Sequence, residues 1–320
     1  MDDPYIPRSS NFLKEAHMFR LFLVLLLTVS TAHADELAFE AHAVALEPPQ
    51  DVYIEETPAI AFSPDGKHFY VFNRGQRALL AFDRKGRFIR KIGHGLFKTP
   101  HGLRIDEDGN LWTADTSNHL VIKFSPNGKV LMVLGKKGTG GKGWFDRDYA
   151  QIFLNKPSDV AFDADGNIYV ADGGNFRIVK YSPTGDVLLT FGEEGAGAGQ
   201  FNFPHSLVVD AEQRLLIADR ENKRIQLFGL DGSYQEEWAN IGYPYMLANA
   251  EGGGFWMTDA RIDRLIKLSR DGEPLGGFGG PGKQRGRYGF LHGVTAIDGD
   301  VIVSDILNWK VERLVPKQRD

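Results

Sequence analysis

Short runs of alternating apolar and polar residues recur along the chain, and each run ends at a turn rich in Asp, Gly or Asn. The pattern is clearest in six segments, FYVFN, LWTAD, IYVAD, LLIAD, FWMTD and VIVSD, which end at residues 73, 115, 172, 219, 259 and 305. A period of two is typical of half-buried β-strands, and no long stretch repeats apolar residues at helical spacing. The chain is therefore predicted to be all-β.

Each of these segments belongs to a longer repeat of four strands. An apolar strand and a D-G turn precede it, and a third strand, a second turn and a fourth strand follow it. The third strands include LVIKFSPNG, RIVKYSPTG and RIQLFGLDG, whose N-G, T-G and D-G pairs are typical of hairpin turns. Six units average about 47 residues, which fits four strands per blade of a propeller. The sequence predicts a six-bladed β-propeller.

A ring of this kind has to close on itself. The sixth unit ends at Val315 after only three strands, while residues 37–46, LAFEAHAVAL, form an apolar segment ahead of the first unit. Because an unpaired strand edge is prone to aggregate, we expect this N-terminal segment to supply the outer strand of the sixth blade. The alternative is an N-terminal arm that packs loosely on the ring.

The first 34 residues are expected to lie outside the propeller. From Met18 the chain reads MFRLFLVLLLTVSTAHA, which combines an early arginine, an apolar stretch and a small-residue cleavage motif. Residues 18–34 are therefore predicted to be a signal peptide, residues 1–17 a misread upstream start, and residues 35–320 a single propeller domain. The apolar run is shorter than the roughly 18 residues that a membrane span needs. We expect a periplasmic or secreted protein.

Composition narrows the class of partner. The net charge is −5 and no long run of Lys or Arg occurs, which argues against a nucleic-acid surface. We therefore expect the partner to be a small molecule or a peptide end. We also expect the protein to be a monomer. The chain contains no cysteine, so its stability has to come from core burial and from any bound metal.

The first strand of each unit begins at an equivalent position. The residues there are, in chain order, Ala59, His101, Ser158, His205, Tyr245 and His292. Alternate blades of a six-bladed ring stand about 120° apart and their first strands line the central channel, so the three histidines should converge. A single histidine at a strand start would be an ordinary hydrogen-bonded core residue. Three neutral imidazoles suit Zn²⁺ with an open fourth position, although iron or copper also bind imidazole.

The residue after each second strand should lie near the plane of the three histidines, because the first and second strands of a blade are antiparallel. In units one and four this residue is an arginine, Arg74 and Arg220 respectively. Two guanidinium groups beside a metal suit a substrate that offers a carboxylate for a bidentate contact. The alternative is that each arginine pairs with a neighbouring acid at the rim.

Two resemblances to known families follow from these phrases. The pattern D-x-x-N-x-R-I at 172–178 and 219–225 resembles the NHL repeat, whose members form propellers. A more specific resemblance, to the peptidyl-α-hydroxyglycine α-amidating lyase family, extends from about Phe69 to Val315. The matching phrases are P-H-G-L at 100–103, P-H-S-L at 204–207, L-H-G-V at 291–294, N-R-G at 73–75 and A-D-R-E-N-K-R-I-Q at 218–226.

The second resemblance implies a zinc-dependent lyase on an NHL propeller. It implies that the zinc ligands are His101, His205 and His292, and that Arg74 and Arg220 belong to the active site. The implied substrate is a peptide or small molecule with a C-terminal α-hydroxyglycine, which the family cleaves to an amide and glyoxylate.

The chain also departs from this family. The family has an active-site tyrosine in a D-G-Y-x-N-S-R-I phrase. The matching segment of this chain, DGGNFRI at 172–178, lacks that tyrosine. Tyr245, at the ring position of unit five, is our hypothesis for the missing phenol; the alternative is a packed tyrosine without a chemical role. Asp115 and Asn118 are further polar candidates. The family's aspartate ligand for a structural calcium is Gly293 here, so calcium is not carried over.

Two other functions stay open at this stage. One is a metal-bearing propeller with different carbonyl or hydroxy-acid chemistry, or without turnover, that acts as an exported binding scaffold. The other is a calcium-dependent lactonase propeller, which would place carboxylates around the axis. The six ring positions contain no carboxylate.

Overall fold

The computed structural model describes residues 36–317 except 142–143, 147–148 and 152, with only the backbone described at 144–146 and 149–151. The predicted signal peptide, 18–34, and the predicted upstream segment, 1–17, lie outside the described residues. Within the described part of the chain, no helix has the length and apolar character needed to cross a membrane.

The described residues form β-strands and two short 3₁₀ helices. The strands of the first half are β1 (Phe39–Ala43), β2 (Ala59–Phe62), β3 (His68–Asn73), β4 (Ala78–Asp83), β5 (Phe88–Ile92), β6 (Pro100–Ile105), β7 (Leu111–Asp115), β8 (Leu120–Phe124), β9 (Val130–Gly135), β10 (Trp144–Asp146), β11 (Tyr149–Gln151), β12 (Pro157–Phe162), β13 (Ile168–Asp172), β14 (Arg177–Tyr181) and β15 (Val187–Phe191). Those of the second half are β16 (Glu193–Glu194), β17 (Gln200–Phe201), β18 (Pro204–Val209), β19 (Leu215–Asp219), β20 (Arg224–Phe228), β21 (Tyr234–Trp238), β22 (Leu247–Asn249), β23 (Phe255–Asp259), β24 (Arg264–Leu268), β25 (Pro274–Gly279), β26 (Leu291–Ile297), β27 (Asp300–Asp305) and β28 (Lys310–Pro316). The 3₁₀ helices are Gly173–Asn175 and Arg220–Asn222.

Six antiparallel sheets of four strands form the blades of a propeller, as the sequence predicted. Blades 1 to 5 are β2–β5, β6–β9, β12–β15, β18–β21 and β22–β25, and blade 6 is β26, β27, β28 and β1. The first strand of every blade contacts the first strands of both neighbouring blades, including β2 with β26. The innermost strands therefore make a closed ring around a central channel.

The predicted closing strand is confirmed. Strand β1 pairs antiparallel with β28, in a register that runs from Phe39 opposite Pro316 to Ala43 opposite Glu312. The ring of Phe39 also packs against Trp256 and Phe278 of blade 5, with ring centroids 5.9 and 5.6 Å apart. The N-terminal strand thus covers the edge of blade 6 and ties it to blade 5.

The D-x-x-N-x-R phrase braces the turn between second and third strands. In blade 4 the buried Asp219 carboxylate accepts hydrogen bonds from Asn222 Nδ2 at 2.8 Å and Arg224 Nε at 2.9 Å. Lys223 adopts a left-handed φ of 57°, and its N–H donates to the Arg220 carbonyl. This tight turn places Arg220 directly after the second strand of blade 4, β19.

The connections between blades contain elements that the repeat pattern did not predict. Strands β10 and β11 form a hairpin between blades 2 and 3, and β16 and β17 form a short parallel pair between blades 3 and 4. Both lie in connections outside the four-strand repeat, where the alternating pattern had marked no strand.

Candidate metal centre

Three histidines meet in the channel, each as the second residue of a first strand. His101, His205 and His292 lie on β6, β18 and β26, and all three are buried. Their ring centroids are 4.7, 5.0 and 5.2 Å apart in the three pairs. The convergence predicted from their repeat positions is therefore present in the structure.

Each histidine is oriented by a backbone carbonyl of the next blade. The contacts are His101 Nδ1 to the Ser158 carbonyl at 2.8 Å, His205 Nδ1 to the Tyr245 carbonyl at 2.7 Å, and His292 Nδ1 to the Pro58 carbonyl at 2.7 Å. Because a carbonyl oxygen can only accept, Nδ1 carries the hydrogen in all three rings. The lone pair is then on Nε2, the atom available to a metal.

Burial keeps these imidazoles neutral. Burial, followed by the positive charge of Arg74, lowers the pKa of His101 to about 3. Burial likewise holds the pKa values of His205 and His292 well below the usual range, with contributions from the neighbouring histidines and from Arg220. A neutral imidazole is the form that ligates metals.

The residues fit a metal ion. One ligand atom from each histidine lies within 4.8 Å of the others, and His205 Nε2 is buried without a hydrogen-bond partner. A buried polar atom left unpaired costs about 1–3 kcal/mol, and metal coordination would satisfy this nitrogen. Three nitrogen ligands leave at least one coordination position open, which is the arrangement of catalytic sites rather than structural ones.

The glycines after two of the histidines let neighbouring blades approach. A Cβ on Gly102 would lie 2.4 Å from the Ser158 carbonyl oxygen, and one on Gly293 would lie 3.0 Å from the Pro58 carbonyl oxygen. The Ser158 carbonyl is the acceptor for His101. The small residue is thus required for the contact that orients the adjacent imidazole.

Arg220 acts electrostatically on the histidines and is held by an acid and two rings. Its Nε and Nη2 both contact Glu221 Oε1, at 2.8 and 2.7 Å. Its guanidinium also lies over the rings of Phe203, at 4.7 Å, and Tyr245, at 5.1 Å. The pairing with a neighbouring acid therefore occurs, while the arginine still acts electrostatically on the histidines.

Arg74 is bound to the blade that carries His101. Its Nε donates to the Pro100 carbonyl at 3.0 Å, and its Nη1 lies 3.7 Å from Glu56. Its charge contributes to the lowered pKa of both His101 and His292. The structure thus places the two predicted arginines on opposite blades, 1 and 4, both within electrostatic reach of the histidines.

Tyr245 lies beside two of the three histidines. It is buried two residues before β22, with its ring centroid 5.3 Å from His205 and 5.9 Å from His292. The ring of Phe290 packs against it edge-on at 5.4 Å. The hypothesis that this tyrosine points at the histidine cavity agrees with the geometry.

Asp115 and Asn118 have a different place. The Asp115 carboxylate accepts the backbone N–H groups of Lys98 and Thr99 at 2.6 and 2.9 Å, and Asn118 Nδ2 donates to it at 2.8 Å. The same Nδ2 donates to the Leu96 carbonyl. These contacts brace the loop that enters blade 2, and they do not include the histidines.

Three residues at the rim were not among the predicted site residues. Glu221 holds Arg220, and Tyr243 Oη donates to Glu221 Oε2 at 2.5 Å. Arg261 lies over the Tyr243 ring at 4.9 Å. Glu221 directly follows an arginine predicted to lie in the site, which was an available signal, whereas nothing in the repeat pattern marks Tyr243 or Arg261.

Two family patterns match the chain. The SMP-30/Gluconolactonase/LRE-like region matches residues 51–135, and the NHL repeat matches residues 154–181 and 201–228. Each match covers less than half of the chain. Together they agree with a propeller built from repeats.

Several curated relatives are named as peptidylglycine-amidating enzymes, and others as NHL repeat-containing protein 3. The chain is 41% identical over 156 residues to the peptidyl-glycine alpha-amidating monooxygenase of Mus musculus, which covers 46% of this chain and 15% of that protein. It is 33% identical over 214 residues to a Caenorhabditis elegans protein named probable peptidyl-alpha-hydroxyglycine alpha-amidating lyase, covering 65% of this chain and 58% of the relative. The chain therefore spans well under two thirds of the length of both relatives.

The fold also has matches among solved structures. A streptogramin B lyase structure superposes with a TM-score of 0.63 at 14% identity, covering 88% of this chain and 98% of the other. An identity this low is evidence for the shared propeller fold alone.

Proposed function

We propose that this chain, which belongs to the peptidyl-α-hydroxyglycine α-amidating lyase family, cleaves an α-hydroxyglycine compound to an amide and glyoxylate. The observation that carries the proposal is the convergence of three neutral imidazoles, from His101, His205 and His292, beside the guanidinium groups of Arg74 and Arg220. This set offers ligands for a metal and positive charge for a carboxylate in one cavity.

The proposed reaction is an elimination without water. The substrate carries a hydroxyl, an amide nitrogen and a carboxylate on or next to one carbon. The hydroxyl loses its proton, its electrons form the aldehyde C=O bond of glyoxylate, and the C–N bond breaks. The electron pair of that bond goes to the amide nitrogen, which takes up a proton. Atoms and charge balance without an oxidant or a reductant.

The metal we propose is Zn²⁺, held by the Nε2 atoms of the three histidines. When bound there it would supply Lewis acidity toward a substrate oxygen. The carbonyl groups of Ser158, Tyr245 and Pro58 keep the three rings in the tautomer that leaves Nε2 free.

The arginines are proposed to bind the substrate carboxylate. The Arg74 guanidinium is already fixed by the Pro100 carbonyl, and Arg220 is fixed by Glu221 and by stacking on Tyr245. Donors that are fixed before the substrate arrives need no reorganisation as charge develops. A carboxylate bound between blades 1 and 4 would present the adjacent carbon to the metal centre.

Tyr245 is proposed to hold or move the hydroxyl or amide proton. It is the phenol whose ring contacts both His205 and His292, and it occupies the same repeat position as the ligands. A phenol is a suitable general acid or base when it lies within hydrogen-bond reach of the reacting atom.

We further propose that the protein works outside the cytoplasm. The support is the sequence of residues 18–34, with its arginine, apolar run and A-H-A motif. N-terminal sequencing of the protein isolated from the extracytoplasmic fraction tests this: a mature chain that begins near Asp35 is expected, and an intact N-terminus in the cytoplasmic fraction would contradict it.

The test of the activity is glyoxylate release from N-benzoyl-α-hydroxyglycine by the zinc-loaded protein. Benzamide and glyoxylate should appear in equal amounts, and His205→Ala should abolish both the release and the bound metal. His94→Ala is the matched control, because His94 is exposed on the loop between blades 1 and 2. Stoichiometric metal without glyoxylate would favour the binding scaffold instead.

A second candidate is a lactonase, which the SMP-30/Gluconolactonase/LRE-like match over residues 51–135 favours. The metal ligands argue against it. A calcium-dependent site needs oxygen ligands, whereas the cluster found among the described residues consists of three histidines. Hydrolysis of a sugar lactone that depends on Ca²⁺ and survives His205→Ala would establish the lactonase.

A further inference from the structure

An arginine crosses the channel beneath the histidines. Arg104 is a charged residue within an innermost strand, three residues after His101. Its Nε donates to Asp159 Oδ1 at 3.0 Å and its Nη2 to Asp159 Oδ2 at 2.6 Å. The same Nη2 contacts Ser206 Oγ at 3.2 Å and the Leu247 carbonyl at 2.8 Å.

These four residues join four consecutive blades. Arg104, Asp159, Ser206 and Leu247 lie on β6, β12, β18 and β22, the first strands of blades 2, 3, 4 and 5. Asp159, Ser206 and Leu247 are fully buried. Ser206 Oγ donates to Asp159 Oδ2 at 2.7 Å and accepts the Leu247 N–H at 3.1 Å. Every polar contact of this network therefore fixes the position of one innermost strand relative to another.

The network is continuous with the groups that orient the histidines. Asp159 directly follows Ser158, whose carbonyl accepts from His101. Ser206 directly follows His205, and Leu247 lies two residues after Tyr245, whose carbonyl accepts from His205. The backbone thus connects Arg104 and its partners, over one to three residues, to two of the three imidazoles and to the carbonyl groups that orient them.

We propose that Arg104 is a positioning residue for the metal centre. We also propose that its guanidinium binds the oxygen atoms that a second metal ion in the channel would otherwise bind. The inference rests on the proposed metal site. The carboxylate of Asp159 and the carbonyl of Leu247 are oxygen ligands of the kind that Ca²⁺ prefers, and here both already accept from the guanidinium.

The residues present do not fit the structural calcium of the family. Its aspartate position is Gly293, where a Cβ would lie 2.3 Å from Ser304 Oγ and 3.0 Å from the Pro58 carbonyl oxygen. Asp159 Oδ1 also accepts the Val160 N–H at 2.9 Å. The protein should therefore bind one metal ion per chain, at the histidines, and should not require calcium.

The experiment measures zinc affinity in folded variants by competition with a chelator. Arg104→Gln leaves the buried Asp159 carboxylate without its cation and is expected to destabilise the fold. The double variant Arg104→Gln/Asp159→Asn removes both charges, and Ser206→Ala removes one link without altering charge. The control is Arg214→Gln, which breaks an arginine–aspartate pair with Asp210 within blade 4. Near-ultraviolet circular dichroism at the assay temperature verifies that each variant is folded.

The double variant should bind zinc about 10-fold or more weakly, as is typical when a group that supports metal ligands is lost, and the control should bind it as the wild type does. Ser206→Ala should show a smaller loss in the same direction. Equal zinc affinity in the folded double variant and the wild type would overturn the positioning role.

Two metal equivalents in the wild type, or a rise of its melting temperature with Ca²⁺, would overturn the single-cation assignment. Absence of zinc from the wild type would instead overturn the proposed metal site.

Discussion

The Nδ1–H of His205 donates to the backbone carbonyl of Tyr245 at 2.7 Å, and the centroids of the two rings lie 5.3 Å apart. Tyr245 therefore contacts His205 in two separable ways. Its carbonyl orients the imidazole, and its ring packs against that imidazole. A substitution that removes only the hydroxyl leaves the first role intact.

Tyr245→Phe is accordingly expected to separate chemistry from metal binding. Bound zinc should stay at the wild-type level, because the carbonyl is retained. Glyoxylate release should fall by about 10²–10⁴-fold, the range of a lost general acid or base. The measurement pairs metal analysis with the steady-state rate.

Tyr234→Phe is the control, because Tyr234 is exposed on the outer strand of blade 4. An unchanged rate in Tyr245→Phe would end the hypothesis that this phenol takes part in the reaction. It would leave a packed channel tyrosine.

Metal removal should lower the stability of the fold as well as the activity. The three ligands come from blades 2, 4 and 6, so an ion at the centre binds only the assembled ring. A ligand of the native state present at 100 times its dissociation constant stabilises by about 2.7 kcal/mol. Differential scanning calorimetry with zinc, with a chelator and after re-addition of zinc measures this.

The stabilisation should disappear in His205→Ala and persist in His94→Ala. If the chelator leaves the melting temperature of the wild type unchanged while the bound zinc is shown to be gone, the ion does not link the blades.

Arg220→Lys tests the geometry of the proposed carboxylate contact. A lysine keeps the charge but loses the planar fork that Glu221 and the aromatic rings hold in place. Loss of a hydrogen bond to a charged group costs about 1.5–3 kcal/mol, so kcat/KM for N-benzoyl-α-hydroxyglycine should fall about 10- to 100-fold. Zinc content should not change.

A change in the substrate carboxylate provides a second test of the contact with Arg220. Replacing that carboxylate by a neutral amide should weaken turnover by wild type and should matter much less for Arg220→Lys. Equal losses in both enzymes would show that Arg220 does not contact the carboxylate.

The repeat pattern was sufficient to predict the blades and the converging histidines. Alternation and glycine-containing turns mark the repeat in each of the six units. Ring closure places equal repeat positions at equal heights in the channel, so the convergence of His101, His205 and His292 could be predicted from spacing. The pattern did not predict the carbonyl groups that orient these histidines. Every residue has a backbone carbonyl, so the sequence does not identify which ones act as acceptors.

The repeat pattern also did not predict the charged residues that surround the histidines. Arg104 and Asp159 are 55 residues apart, and only their positions within innermost strands, where apolar residues are expected, hinted that they pair. Likewise, the sequence predicted pairing of Arg220 with a neighbouring acid only as an alternative to a role in the site, and surface pairs of that kind usually contribute little. Here Glu221 holds Arg220, whose guanidinium lies over the Phe203 ring.

The closing strand supplies the last prediction. Phe39 on β1 is buried against Trp256 and Phe278, so Phe39→Ala removes a large side chain from the contact between the N-terminal strand and blade 5. A buried Phe→Ala substitution costs about 3 kcal/mol or more, and urea denaturation should show that loss. Val133→Ala, on the exposed outer strand of blade 2, should cost less than about 0.5 kcal/mol. Because Phe39 lies on an outer strand and the ligands lie on innermost strands, zinc affinity of the folded variant should be unchanged. A Phe39→Ala protein as stable as the control would mean that strand β1 covers the edge of blade 6 without holding the ring closed.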